Sequence, residues 1–243
     1  MNLFYESNNM EIERIKINGI PAILYGSNSD KLYLFVHGKM SNKEEAAEFA
    51  KIATERGFQV LSFDLPEHGD RKDEKYLCTV QNGVNDLSVI GSYIQKYWKK
   101  ISLYACSLGA YFSLVAYENM NFDRCLFVSP ILDMERLIKN MMKWSNVDEN
   151  LLKERLEIPT AFGEILSWEY FCYVKEHPID KWKNLTSILY GSADNLTERF
   201  ILDQFVNRFN CDVEILDGGE HYFHTKDQID IQKKWIVKCL SIQ

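Results

Sequence analysis

Short apolar runs alternate with segments of helical period along most of this chain, and that alternation restricts the fold more than any other feature. Leu32-Tyr-Leu-Phe-Val is an unbroken apolar run, as expected of a strand covered on both faces. Phe58-Gln-Val-Leu-Ser-Phe, Ile101-Ser-Leu-Tyr-Ala, Arg124-Cys-Leu-Phe-Val, Thr186-Ser-Ile-Leu-Tyr and Cys211-Asp-Val-Glu-Ile-Leu read as further strands. Between them lie helical spacings. Ala46, Phe49, Ala50 and Ala53 share one face, with Gly57 placed to end the helix. Val80, Val84, Leu87, Ile90, Ile94 and Trp98 mark a longer one. Ser107 to about Tyr117 and Glu198 to Arg208 also read as helix, and Ile229, Ile231, Trp235, Ile236 and Leu240 belong to a closing helix. Ser41 with Glu44, and Thr225 with Gln228, have the spacing of capping boxes.

The chain opens differently. Ile12-Glu-Arg-Ile-Lys-Ile alternates, Asn18-Gly19 suits a type I′ turn, and Ile20-Pro-Ala-Ile-Leu-Tyr returns. Together these elements predict an α/β fold with a doubly wound, mainly parallel sheet of about eight strands and an N-terminal antiparallel hairpin at one edge. The alternation breaks between residues 131 and 183. That stretch is rich in Met, Trp, Tyr, Phe, Glu and Lys and too long for a simple crossover, so it reads as a helical cap inserted within a single domain spanning 1–243.

Parallel sheets bind ligands beyond the carboxyl ends of their strands, so the loops there carry the functional information. Five are informative. His37-Gly38-Lys39-Met40 follows the third predicted strand and Asp64-Leu-Pro-Glu-His68-Gly69-Asp70 the fourth. Ala105-Cys106-Ser107-Leu108-Gly109 joins the fifth to a helix. Gly191-Ser-Ala-Asp194 follows the seventh, and Asp217-Gly-Gly-Glu-His221-Tyr-Phe-His224 the eighth.

In these loops, and over essentially its whole length, the chain resembles the α/β-hydrolase family, in which a G-x-S-x-G elbow lies between a strand and a helix. Ala105 stands where the pattern has its first glycine, while Gly109 keeps the second. The family's chain order is nucleophile, acid, base, which Ser107, Asp194 and His221 match. The resemblance implies a serine hydrolase. A serine hydroxyl is a poor nucleophile at neutral pH, so His221 would take its proton while Asp194 holds the imidazole tautomer. The backbone amides of Leu108 and Lys39 would form the oxyanion hole. His224 is a rival base, but it directly precedes the Thr225 box, whereas His221 follows Gly218-Gly219. Asp133 is a rival acid and reads better as a helix cap. His37 and His68 read as buttresses of their loops, and Cys106 as a residue pointing away from the site.

The implied reaction is cleavage of a carboxylic ester or related acyl bond through an acyl-serine, on a small-molecule acyl substrate and without a cofactor. A peptidase or amidase and a thioesterase fit the same triad, although no large extra domain and no basic cluster for a coenzyme phosphate is evident. A catalytically silent binding protein is the alternative of another class. Composition bears on partners. A formal net charge of -7 argues against nucleic acid. No apolar run reaches the ~18–20 residues of a membrane span. Met1 to Asn9 lack the basic start and apolar stretch of a signal peptide, and the six cysteines are scattered without metal spacing. Both features suggest a cytoplasmic protein.

Overall fold

The computed structural model describes residues 10–241, so the reading of Met1 to Asn9 as lacking a leader falls outside the described residues. The elements are β1 (Ile12–Ile17), β2 (Ile20–Tyr25), β3 (Lys31–Val36), α1 (Ala46–Thr54), β4 (Gln59–Phe63), α2 (Val80–Tyr97), β5 (Lys100–Cys106), α3 (Ser107–Ala116) and β6 (Cys125–Val128). They continue with α4 (Met134–Trp144), α5 (Glu149–Arg155), β7 (Glu157–Pro159), β8 (Ile165–Ser167), α6 (Trp168–Glu176), β9 (Thr186–Gly191), α7 (Arg199–Phe209), β10 (Asp212–Leu216) and α8 (Lys226–Ser241).

Eight strands form one sheet in the order β1-β2-β4-β3-β5-β6-β9-β10. From β4 to β10 neighbours run parallel; β1 and β2 are antiparallel and add the hairpin at one edge. Asn18 (φ 48°) and Gly19 (φ 87°) both occupy the left-handed region, as a type I′ turn demands.

Strand alternation sorts the core onto two faces. Leu32, Leu34, Val36, Leu103 and Ala105 pack with α2, α3 and α7, whereas Tyr33, Phe35, Tyr104 and Leu126 pack with α1 and α8. The inner strands are therefore covered on both faces and mostly apolar, and the polar residues they do carry, such as Ser62, Ser102 and Thr186, are buried too.

One local expectation is corrected. The first helix is not capped by the Ser41–Glu44 pair. Met40 is still in a left-handed turn (φ 61°), so the helix begins later, in a 3-10 turn Lys43–Glu45 capped by Asn42, whose side chain accepts the Glu44 amide at 3.0 Å. The insertion, read as helical with interruptions, is interrupted by a hairpin. It holds α4, α5 and α6 but also an antiparallel pair, β7–β8. Leu156 at φ 64° ends α5, and Thr160 Oγ1 closes the hairpin by donating to Glu164 O and accepting its amide, at 2.8 and 3.0 Å. Such short strands, set by turn chemistry, carry little periodic signal. Among the described residues, no helix is long and apolar enough to cross a membrane.

Candidate active site

Strand β5 ends at Cys106 and α3 begins at Ser107 with no intervening loop, so the chain reverses at one residue. Ser107 sits at φ 47°, a conformation an L-residue adopts at a cost, and it projects from the carboxyl edge of the sheet. Small neighbours make the turn possible. A Cβ on Gly109 would lie 2.3 Å from His37 O and 2.8 Å from Val36 O, so α3 rests directly on the backbone leaving β3. Ala105, by contrast, places its methyl group in the core between β5 and the α2–α3 face, where it is fully buried. The departure from glycine at this position therefore fills core space and leaves the turn clear. Cys106 points to the opposite face, toward α1 and α8, and burial pushes its thiol well above the ordinary range.

Ser107 Oγ lies 2.7 Å from His221 Nε2, and His221 Nδ1 lies 2.8 Å from Asp194 Oδ2. The Asp194 side chain is fully buried, and its other oxygen accepts the amides of Leu196 (2.8 Å) and Thr197 (3.0 Å). The carboxylate is thus fixed on both sides, which sets the imidazole with Nδ1 protonated and Nε2 free to accept from the serine. The loops carrying Asp194 and His221 meet through glycine. A Cβ on Gly191 would stand 2.2 Å from Gly219 O, and that carbonyl also accepts the Ala193 amide at 2.8 Å.

The rival residues lie elsewhere. Asp133 Oδ1 accepts the Arg136 amide at 2.8 Å as the N-cap of α4. His224 is exposed at the entrance of α8, where its ring faces Tyr222 O and Glu220. The Thr225–Gln228 box is present, with both reciprocal bonds at 3.3 Å.

The loop carrying Lys39 lies against Ser107: a Cβ on Gly38 would be 3.3 Å from Ser107 Cβ. Neither the Lys39 amide nor that of Leu108, at the start of α3, has an acceptor among the described residues. Both loops flanking this edge are braced from below. Lys43 and Asp64 form a buried ion pair at 2.7 Å, and Asp64 also accepts the amides of Lys43 (2.9 Å) and Asp70 (3.0 Å). His37 and His68 are buried beside them.

Sequence reasoning missed two contacts here. The Lys39 ammonium pairs with Glu164 on the β7–β8 hairpin, tying the loop after β3 to the insertion across 125 residues. Lys43, a surface residue by type, is buried with Asp64. Nothing local marks either pairing. Of the insertion's aromatic and Met residues, Met142 and Phe171 are buried in the core, whereas Trp144 and Phe162 form an exposed edge-to-face pair. A cavity of about 220 Å³ opens beside Tyr111, one turn along α3 from Ser107, and is lined by Leu132, Met134, Val174 and Phe205. Among the described residues no cluster of His, Cys, Asp and Glu converges as a metal site.

No protein-family model matches the chain, and no curated protein matches it by sequence. Solved structures do match. The esterase Est1E of Butyrivibrio proteoclasticus, with ferulic acid bound, superposes with a TM-score of 0.73 at 16% identity, covering 95% of this chain and 98% of that one. A putative hydrolase from Agrobacterium vitis S4 gives 0.75 at 15% identity over 95% and 98%. The mouse alpha/beta hydrolase domain-containing protein 10 gives 0.72 at 14% over the same shares. At these identities the likeness is one of architecture, and together with the strand order and the turn at Ser107 it establishes that the chain has the α/β-hydrolase fold.

Proposed function

We propose that this chain is a serine hydrolase that cleaves a carboxylic ester or a related acyl bond of a small molecule through an acyl-serine intermediate. The observation that carries the reading is the continuous relay from Ser107 Oγ to His221 Nε2 (2.7 Å) and from His221 Nδ1 to Asp194 Oδ2 (2.8 Å). These are distances at which a general base acts. His221 accepts the serine proton as Oγ attacks the acyl carbon, then delivers it to the leaving group. Asp194 holds the tautomer and stabilises the imidazolium. The negative oxygen of the tetrahedral intermediate is received by the Lys39 and Leu108 amides, the latter strengthened by the helix N-terminus behind it. Water then repeats the sequence on the acyl-enzyme. The esterases and hydrolases among the superposing structures are compatible with this chemistry.

A fluorophosphonate probe with mass-spectrometric mapping tests the reading. A single adduct on Ser107 is expected; a folded protein that leaves Ser107 unlabelled refutes it and favours the silent binding protein. Nitrophenyl esters of increasing chain length, with matched amides and thioesters, then rank the acyl bond.

A further inference from the structure

The two histidines beneath the site are bonded in a reciprocal pattern. The Leu65 amide, in the loop after β4, donates to His37 Nε2 at 3.1 Å, which leaves the ring proton on Nδ1. That Nδ1–H donates to Gly38 O at 2.7 Å. From the other loop, His68 Nδ1–H donates to Pro66 O at 2.7 Å, and its Nε2 accepts the Met40 amide at 3.1 Å. Each loop therefore supplies a ring that accepts an amide of its neighbour.

The bonded groups belong to the two peptide units on either side of Lys39. In a trans peptide the carbonyl and the N–H point in opposite directions. With Gly38 O drawn onto His37, the N–H of the same unit, that of Lys39, points away from His37. With the Met40 amide drawn onto His68, the following unit is fixed as well, and Met40 is kept at φ 61° although its side chain is 93% exposed and packs against nothing that would hold it there. Gly38 is the permissive residue about which this segment would otherwise turn. Burial keeps His37 neutral, with its pKa drawn down to about 4, so its acceptor nitrogen stays available.

We infer that His37 and His68 are positioning residues that lock the Lys39 peptide with its N–H directed at the oxyanion, the proton on His37 being placed by the Leu65 amide. The inference rests on the reading of Lys39 as an oxyanion donor. It predicts that His37→Leu lowers kcat per fluorophosphonate-titrated site by about 10²–10³-fold with KM changed less than about threefold, the size of losing one donor. His37→Asn, whose amide can still reach Gly38 O, should recover at least about tenfold of that loss. His68→Leu and His68→Gln form a second pair at the Met40 amide, read in the same way should His37→Leu not fold. A purely structural role would lower the titrated fraction and Tm while leaving kcat per site untouched. That result, or an Asn variant no better than Leu, overturns the inference. A wild-type protein that neither labels nor turns over refutes the hydrolase reading itself; one that does both, with His37→Leu its equal, refutes only this one.

Discussion

Gly191→Ala is the sharpest perturbation of the site that touches none of its reacting groups. The new Cβ would stand 2.2 Å from Gly219 O, 2.5 Å from Gly219 C and 2.7 Å from Glu220 O. Carbon–oxygen and carbon–carbon contacts settle near ~3.5 Å, so the Gly219–Glu220 backbone must retreat by roughly 1 Å. It cannot do so freely, because Gly219 O is held by the Ala193 amide at 2.8 Å. Overpacking of this kind costs about 1–3 kcal/mol of stability. Two residues on lies His221, whose Nε2 is 2.7 Å from Ser107 Oγ. A shift of roughly 1 Å takes that contact beyond hydrogen-bond reach, and such a misplacement costs about 10²-fold in rate. The assay is kcat with a nitrophenyl ester, normalised to folded protein, beside a thermal melt. The control is Gly218→Ala, where φ is 67° but nothing lies within 4 Å of the added atom. It should lose ~1–2 kcal/mol through backbone strain alone and keep its rate per folded molecule. If Gly191→Ala retains kcat within about threefold of wild type, the two loops do not set the serine–histidine distance and the reasoning fails.

Three other outcomes follow from the geometry. Asp194→Asn should lower kcat by about 10⁴-fold through loss of the tautomer, while His224→Ala stays near wild type; steady-state kinetics that reverse this order would reassign the base and acid. Because burial draws His37 down to about 4 from an unfolded value near ~6.5, the unfolded chain binds a proton first as pH falls. Stability is therefore full above pH ~6.5 and declines toward pH ~4, by up to about 3 kcal/mol, and urea melts of His37→Asn across that window should lack this slope. Lys43→Met strands Asp64, which is fully buried, and should cost about 3–5 kcal/mol in the same melts.

How much of this was legible in the sequence depends on whether a feature is periodic or relational. Strands β3, β5 and β9 were readable because burial on both faces leaves them mostly apolar, and Ser107, Asp194 and His221 became candidates because each stands in a loop just after an expected strand. The loops are brought together by the order of the strands, which alternation alone does not give. Lys39–Glu164 and Lys43–Asp64 were not readable, since a charged side chain has the same local signature whether it is solvated or paired across the fold. Helix starts fell between: Ser41 and Asn42 are both competent caps, and only the left-handed turn at Met40 decides between them.

The sheet order has a consequence for how the site is lost as well as how it is built. Ser107 follows β5, near the middle of the sheet, and Asp194 follows β9. His221 follows β10, an edge strand that pairs with β9 alone and whose Val213 and Ile215 are exposed. Edge elements open at lower free energy than central ones. A peripheral fluctuation that peels β10 and α8 from β9 and α1 would withdraw His221 while Ser107 stays in its strained turn, so loss of turnover should precede loss of the core, and enzymatic silence should be reversible long before the chain unfolds.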